Sequence, residues 1–158
     1  MKTNAVRILD TLEISYKLLT YDVDPSNLVA TVTAEKLGLP ADQVFKTLVV
    51  KGDRQGIALA VLPASFQLSL KSLAKLSGNR RVETVPLKRV QPLTGYIRGG
   101  VTAIACKKPY PVFLDEWAEM YEHIAVSAGK RGQMICLSPS DYIRATQAVV
   151  GAIAKTNE

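Results

Sequence analysis

Residues 43–50, QVFKTLVV, decide how the rest of the sequence is interpreted. Their β-branched and aromatic residues predict a buried β-strand, yet Lys46 lies in the middle of the stretch. Successive side chains of a strand point to opposite faces, so Lys46 shares a face with Val44 and Leu48. Lys46 is therefore flanked by apolar neighbours whichever face is buried.

Two interpretations of Lys46 fit this local pattern equally well. In the first, Lys46 belongs to an edge strand, and its ammonium reaches water while the aliphatic stem covers apolar surface. In the second, Lys46 lies at the mouth of an apolar cavity, where an anionic group of a ligand would meet a partly desolvated cation. The pattern of residues 43–50 leaves both interpretations open.

The order of the predicted elements indicates the fold class. KGDRQG at 51–56 is typical of a hairpin turn and leads into a second apolar strand, GIALAVLP at 56–63. HIAVS at 123–127 and MICLS at 134–138 are likewise strands without a helix between them. Seven or eight short strands with four or five helices predict an α+β fold with a mixed, barrel-like sheet flanked by helices. No linker or repeat divides the chain, so residues 1–158 are expected to form a single domain.

Helix boundaries are predicted from capping residues. Helices are expected to begin after the caps Thr3 or Asn4, Thr31 or Thr33, and Ser69, after Pro86, and at Ser138. The last helix is expected to turn Tyr142, Ile143, Val149 and Val150 toward the core. Short strands are expected at 96–98 and 101–105.

The bulk composition indicates the kind of partner. Twenty Lys and Arg residues against fourteen Asp and Glu residues give a formal charge of +6, which favours an anionic partner such as nucleic acid or a nucleotide. The N-terminus does not resemble a signal peptide, and no apolar run approaches the roughly 20 residues that span a membrane. We therefore expect a cytoplasmic protein. Cys106 and Cys136 lack the spacing of a metal site and are expected to be reduced.

The usual catalytic sets are missing from the sequence. His123 is the single histidine, and as the first residue of an apolar strand it is more typical of a structural or surface residue than of a general base. No P-loop, dinucleotide-binding motif, zinc-protease motif or Cys-x-x-Cys pair is present. An enzyme with this sequence would work without the usual nucleophile, metal or redox cofactor.

Two glycine-rich stretches are the remaining candidates for a site. TGYIRGG at 94–100 indicates either strong sheet curvature or a close approach to the backbone. SAGKRGQ at 127–133 indicates either a basic hairpin turn or a nest of main-chain N–H groups for an anion, with Lys130 and Arg131 beside it.

In this order the stretches resemble the YbaK/EbsC family of aminoacyl-tRNA deacylases and are similar to the editing domain of bacterial prolyl-tRNA synthetases. The matching pieces are TYDVDP at 20–25, KLGLPADQVFKTLVV at 36–50, TGYIRGG at 94–100, CKKPYPVFLDE at 106–116 and VSAGKRG at 126–132. The resemblance runs from the first predicted helix to the last. It implies a compact α+β domain around a mixed, barrel-like sheet.

The resemblance also implies an activity. Family members hydrolyse the ester that joins a wrong amino acid to tRNA, and the member that this chain resembles most removes cysteine from proline tRNA. In the cysteine-specific members the substrate thiol attacks its own carbonyl and leaves as a thiolactone. Such a reaction can proceed by positioning and charge stabilisation. The implied partners are mischarged tRNA and, transiently, prolyl-tRNA synthetase, with neither DNA nor a membrane.

The site residues implied by the resemblance carry over by position. Lys46 matches the key lysine and is expected to hold the nucleotide end of the substrate. The substrate-binding residues are Tyr21, Thr47, Gly99, Gly100, Ser127 and Gly129, and Lys130 and Arg131 would contact tRNA. No metal is implied.

The sequence departs from the family pattern near this expected pocket. Val29-Ala30 replaces a Phe-Gly pair, Met134 replaces an acidic residue, Ala103 and Ala105 replace Pro and Gly, and Arg98 replaces an apolar residue. These changes bear on which amino acid is removed, so alanine or another small residue on proline tRNA is an alternative to cysteine. A non-catalytic module that binds tRNA or a nucleotide is a second alternative.

Overall fold

In the computed structural model, which describes residues 2–156, the stretch at 43–50 enters the central hairpin of the largest sheet. The helices are α1 Asn4–Thr11, α2 Ala30–Leu37, α3 Leu70–Ser77, α4 Leu87–Thr94 and α5 Pro139–Thr146, with a 3-10 helix at Glu116–Met120. The strands are β1 Lys17–Thr20, β2 Phe45–Gly52, β3 Gly56–Pro63, β4 Gln67–Leu68, β5 Val82–Thr84, β6 Val112–Asp115, β7 Ile124–Ser127, β8 Gln133–Leu137, β9 Val149–Gly151 and β10 Ala154–Lys155. None of the helices in the described part is long and apolar enough to cross a membrane.

The strands form three sheets. The largest has the order β5-β2-β3-β6-β9, in which β5, β2 and β3 pair antiparallel and β3, β6 and β9 pair parallel. The second has the order β1-β8-β7, and β10 pairs with β4. The predicted α+β fold with a mixed sheet is confirmed. The barrel-like closure is not, because within residues 2–156 the largest sheet ends at β5 and β9, and a single bridge from Val44 to Ala125 joins β2 to the second sheet.

Both faces of β2 are buried. Phe45 and Val49 lie in the main core together with residues of α1, β3, β6, β7 and β8. Val50 points the other way, into a smaller cluster that includes Leu73 of α3 and Ile153. Strand β2 is therefore covered on both faces, but β5 pairs with it only from Val50 to Gly52, so one edge of β2 stays unpaired beside Lys46.

Most of the predicted caps are correct. The side chains of Thr3, Ser69 and Ser138 each accept a hydrogen bond from a main-chain N–H in the first turn of their helices. The predicted cap of α2 at Thr31 or Thr33 is wrong, because the helix begins at Ala30 and Val29 in the cap position offers no side-chain acceptor.

Three element predictions at the C-terminal half are also wrong. Helix α5 ends at Thr146, and Val149 and Val150 belong to β9, so a helical period does not continue through them. Neither 96–98 nor 101–105 forms a strand. Their polar groups are satisfied locally instead, since the Tyr96 main-chain N–H donates to the Thr94 hydroxyl and the Tyr96 hydroxyl donates to the Ile104 and Ala105 carbonyls.

Asp115, at the end of β6, ties the C-terminal strands to the sheet. Its buried carboxylate accepts hydrogen bonds from the main-chain N–H groups of Trp117, Ile153 and Ala154 at 2.9–3.0 Å. Asp115→Ala would leave these donors unpaired, and we expect it to lower the free energy of unfolding by about 2 kcal/mol in urea titrations. Asp115→Asn keeps one acceptor and should cost less; equal costs for the two variants would contradict this role.

Candidate active site

A cleft opens along the edge of β2, between the points where β5 and β7 approach it. Its volume is about 340 Å³. It is lined by Tyr21, Leu28, Ala30, Thr33, Val44, Phe45, Lys46, Thr47, Leu48, Val49, Thr84, Val85, Leu87, Val90, Arg98, Gly99, Val101, Ser127 and Met134. The lining is mostly apolar, and its two charged side chains, Lys46 and Arg98, are both cations.

Divergence of the neighbouring strands creates this cleft. The Val44 carbonyl accepts from Ala64 on the β3 side of β2, whereas the Val49 carbonyl accepts from Val85 on the opposite side. Because main-chain groups alternate along a strand, those of Thr47 point the same way as those of Val49, into the gap between β5 and β7. In the described part of the chain, no strand pairs with Thr47 on that side. Its N–H is a donor aimed at the cleft.

Lys46 lines the cleft and also an adjacent pocket that is formed in part by Ala64 and Phe66. Its Nζ donates hydrogen bonds to the carbonyl oxygens of Phe66 at 2.7 Å and Ala64 at 3.1 Å, which holds the chain reversal after β3. The side chain is half-buried, and desolvation by burial lowers the pKa of Lys46. An ammonium has three donors, so one N–H remains for a ligand.

Thr47 lies between the cleft and the main core. It lines the cleft, and on the core side it approaches the fully buried hydroxyl of Tyr142 without a hydrogen bond of ordinary geometry. Burial raises the pKa of Tyr142. The Tyr142 phenol therefore stays protonated and packs beneath the strand at this point.

Two glycine-containing loops form the opposite wall, and their backbones touch. A Cβ added to Gly100 would lie 2.9 Å from Lys130 Cα and 3.1 Å from the Arg131 main-chain nitrogen. At Gly99, where φ is +85°, a Cβ would lie 3.2 Å from Leu28 and 3.3 Å from the Arg131 side chain. Of the two explanations for TGYIRGG, close approach to the backbone describes this geometry, because the segment is not part of a sheet.

Tyr96 holds the two loops together. Its ring packs against Gly129, where an added Cβ would lie 2.9 Å from the ring. Its hydroxyl donates to the carbonyls of Ile104 and Ala105 at 2.7 and 3.0 Å, and burial raises the pKa of Tyr96 to about 12. Tyr96 is not among the site residues predicted from the sequence, although an aromatic residue between Gly95 and Gly99 is a signal in that stretch.

In the loop at 127–133, the Gly129 amide is not available to an anion nest. The Gly129 main-chain N–H donates to the Ser127 hydroxyl at 3.2 Å, so this amide is already used. The Arg131 Nε donates to the Arg98 carbonyl at 2.8 Å, which fixes one loop to the other. Lys130 is exposed. The loop thus offers an exposed cation, Lys130, near the cleft.

The structure brings most of the predicted site residues together. Tyr21, Lys46, Thr47, Gly99 and Ser127 line one cleft. Gly100 and Gly129 lie behind its wall, in contact with Lys130 and Tyr96. Among the departures from the family pattern, Ala30, Arg98 and Met134 line the cleft, whereas Val29 is half-exposed outside it.

The cleft holds no standard catalytic set. Its lining contains hydroxyl groups but no histidine, cysteine, aspartate or glutamate. Cys106 and Cys136 are free thiols outside the lining, and burial raises the pKa of both. Within residues 2–156 no three His, Cys, Asp or Glu side chains are grouped closely enough to hold a metal ion. The arrangement can bind an anionic molecule, orient it and donate hydrogen bonds to it.

Comparison with known proteins identifies relatives with this architecture. The "Putative Cys-tRNA(Pro)/Cys-tRNA(Cys) deacylase EbsC" of Enterococcus faecalis (strain ATCC 700802 / V583) is 43% identical over 145 residues, which cover 92% of this chain and 88% of that protein. The solved structure of "hypothetical protein APE2540" has a TM-score of 0.88 at 23% identity and covers 97% of this chain and 100% of its own. A "putative trans-editing enzyme for prolyl tRNA synthetase" has a TM-score of 0.82 at 24% identity, with coverages of 98% and 99%. These two structures show the same fold.

A family model supports the same assignment. The model described as "Aminoacyl-tRNA editing domain" matches residues 27–145, a range that contains every predicted site residue except Tyr21. With the 43% identical relative, this match confirms the resemblance predicted from the sequence. The chain belongs to the aminoacyl-tRNA editing domain family.

Proposed function

We propose that this protein hydrolyses the ester bond of mischarged aminoacyl-tRNA and that cysteine on proline tRNA is its preferred substrate. The observation that carries the proposal is the cleft itself, which has two cations, a free main-chain donor and no histidine, cysteine or carboxylate that could attack the ester or activate a hydroxyl group. The relative named as a deacylase of Cys-tRNA(Pro) and Cys-tRNA(Cys) supports this choice of substrate.

The charges of the cleft suit the 3′ end of a tRNA. Lys46 and Arg98 are not opposed by a carboxylate in the lining, so a phosphate can neutralise them. The third donor of the Lys46 ammonium would reach this phosphate while the other two stay on Ala64 and Phe66. Lys46 thereby holds the nucleotide end of the substrate and does not act as nucleophile or base.

The free edge of β2 supplies a donor for the reacting carbonyl. The Thr47 N–H faces the cleft, whereas the Gly100 N–H is taken by the Ile97 carbonyl at 2.9 Å. Thr47 is therefore better placed than Gly100 to stabilise negative charge that develops on the carbonyl oxygen. Gly99 lines the opposite wall of the cleft, where it packs against Leu28 and Arg131.

The reaction needs no protein nucleophile if the substrate supplies one. The cysteinyl sulfur bonds to the carbonyl carbon, the ester C–O bond breaks, and the thiol proton passes to the departing ribose oxygen. The released thiolactone then reacts with water to give cysteine. The absence of acidic and histidine side chains from the lining favours this route over activation of a water molecule by a protein base.

A panel of mischarged tRNAs tests the proposal. Cysteine, serine and alanine on proline tRNA, together with correct Pro-tRNA(Pro), would be incubated with the purified protein and with buffer. We expect cysteine to be released at least about 100-fold faster than serine, which has the same shape but a poorer nucleophile. Equal release of cysteine and alanine would contradict substrate assistance, and release no faster than in buffer for every tRNA would remove the proposed reaction.

A non-catalytic tRNA-binding module is the second candidate. Met134, which lines the cleft at a position where the family resemblance implies an acidic residue, is the observation that favours it. Tight tRNA binding without turnover would establish this candidate.

We further propose a transient complex with prolyl-tRNA synthetase, since a single small domain contacts little of a tRNA. Co-elution of the synthetase, tRNA and this protein would test this complex.

A further inference from the structure

The positive charge of the chain is concentrated in one segment. Residues 51–108 contain eleven of the twenty Lys and Arg residues but only two of the fourteen acidic residues, Asp53 and Glu83. The flanking segments together carry more acidic than basic residues. The excess of positive charge therefore lies in residues 51–108.

Four cations of this segment form a surface cluster at the far end of β2. Lys51 and Arg54 lie in and beside the β2–β3 turn, and Arg80 and Arg81 precede β5; we call these four residues the hairpin patch. All four are exposed. The cluster is distinct from Lys46 and Arg98, which line the cleft.

Hydrogen bonds to the backbone fix the hairpin patch. The Asp53 carboxylate accepts from the main-chain N–H groups of Arg80 and Arg81 at 2.9 and 3.1 Å. The Asn79 side chain accepts from the main-chain N–H of Arg54 at 3.0 Å. The turn and the loop before β5 are thus one rigid unit, and the four side chains project from a fixed frame.

None of the four cations of the patch forms an ion pair within 4 Å, although the Asp53 carboxylate attracts Arg54. Asp53 uses its carboxylate on main-chain amides, and these bonds help to lower the pKa of Asp53. Glu83 stands opposite Lys51 in the β2–β5 ladder but forms no ion pair with it. In residues 2–156 the ion pair within 4 Å is that of Lys2 with Asp10. The patch is available to an external polyanion.

The patch lies on a direct line from the cleft. Val49 lines the cleft, and Lys51 is two residues further along β2 on the same face, about 7 Å away. On β5, Thr84 lines the cleft and Arg81 is three residues before it, about 10 Å away. A polyanion that ends in the cleft and continues over β5 therefore meets Lys51 and Arg81 within a few nucleotides.

We infer that the hairpin patch binds the phosphate backbone of the tRNA acceptor stem while the aminoacylated 3′ end occupies the cleft. The inference rests on the proposed function, because it places the substrate's 3′ end in the cleft. Arg and Lys contacts to phosphates supply affinity that falls with salt and carries no sequence information. The patch thus explains binding of the tRNA body without selecting one tRNA.

The test compares two substrates of different length. The variant Arg80→Gln/Arg81→Gln keeps the main-chain N–H groups that bind Asp53, and the control Arg7→Gln/Lys17→Gln makes the same charge change at exposed positions on α1 and β1. Deacylation of full-length mischarged tRNA would be compared with that of the same amino acid on a short CCA fragment. Binding of uncharged tRNA would be measured from 50 to 200 mM salt.

We expect the patch variant to raise KM for full-length tRNA about 10-fold, with kcat and the hydrolysis of the fragment unchanged. The slope of log Kd against log salt should fall in magnitude by about 2, since two phosphate contacts are lost. The control should match the unmodified protein. Uncharged tRNA bound equally well by the patch variant, or an equal loss in the control, would overturn the inference. Failure of the unmodified protein to hydrolyse any fragment or tRNA would instead overturn the proposed function.

Discussion

Lys46→Ala is expected to lower kcat/KM for mischarged tRNA about 1,000-fold, comparable to removal of a preorganised charge or donor from an active site. The half-buried Lys46 side chain lines a mostly apolar cleft, so its attraction for a phosphate is screened less than at the surface. The loss is measured with the best substrate of the tRNA panel. Binding of the 3′ end should weaken together with turnover.

Two further variants separate charge from structure at this position. Lys46→Met keeps the aliphatic stem without the charge and should be as inactive as Lys46→Ala, whereas Lys46→Arg keeps the charge and should recover part of the activity. Both neutral variants lose the hydrogen bonds to Ala64 and Phe66, which should lower the free energy of unfolding by about 1–2 kcal/mol. A variant that is unfolded by circular dichroism would mean that Lys46 is structural. An active, folded Lys46→Met would contradict its role with the substrate.

The lowered pKa of Lys46 predicts how activity depends on pH. The charged form binds phosphate, so activity should be present below the folded-state pKa and should decline as pH rises through it, before the ordinary value of 10.5 is reached. Burial lowers the pKa because it disfavours the charged form, so this group's contribution to stability is least favourable below the folded pKa and improves as pH rises toward the unfolded value. Lys46→Met should abolish this pH dependence of both activity and stability. Activity is measured after alkaline hydrolysis of the ester in buffer is subtracted.

Local signals in the sequence were sufficient for the hairpin and for most of the caps. KGDRQG connects β2 to β3, and Ser69 and Ser138 cap their helices, because a turn or a cap depends on a few adjacent residues. The wrong extension of the last helix involves a distant partner. Val149 and Val150 fit a helical period, yet parallel pairing with β6 makes them a strand.

The cleft depends on long-range pairing that no local pattern contains. Lys46 was equally consistent with an edge strand and with a cavity mouth because both depend on which strands flank β2. The structure places β3 along one side and leaves Thr47 between β5 and β7 on the other. The positions of the two glycine loops follow from the fold in the same way. Tyr96 joins these loops by contacting residues 104, 105 and 129, which are distant from the local pattern around it.

Gly100→Ala is the second substitution from which we expect a large effect. The new Cβ would lie 2.9 and 3.0 Å from Lys130 Cα and carbonyl carbon, which are main-chain atoms and cannot rotate away. The two loops of the cleft wall must then separate and carry Arg98 and Ser127 with them. We expect kcat/KM to fall at least about 100-fold, since misplacement by about 1 Å has effects of this size. The free energy of unfolding should fall by about 3 kcal/mol, as in an overpacked core.

Gly38→Ala provides the control for this substitution. Gly38 has a φ of +68° and no atom within 4 Å of an added Cβ, so alanine there introduces backbone strain without a clash. It should cost about 1 kcal/mol of stability and leave activity unchanged, because Gly38 is outside the cleft lining. Both variants are compared at 25 °C, well below the melting temperature, where lower stability alone should not reduce the activity of Gly38→Ala. A folded Gly100→Ala protein with activity close to that of the unmodified chain would show that close contact between the two loops is not needed for catalysis.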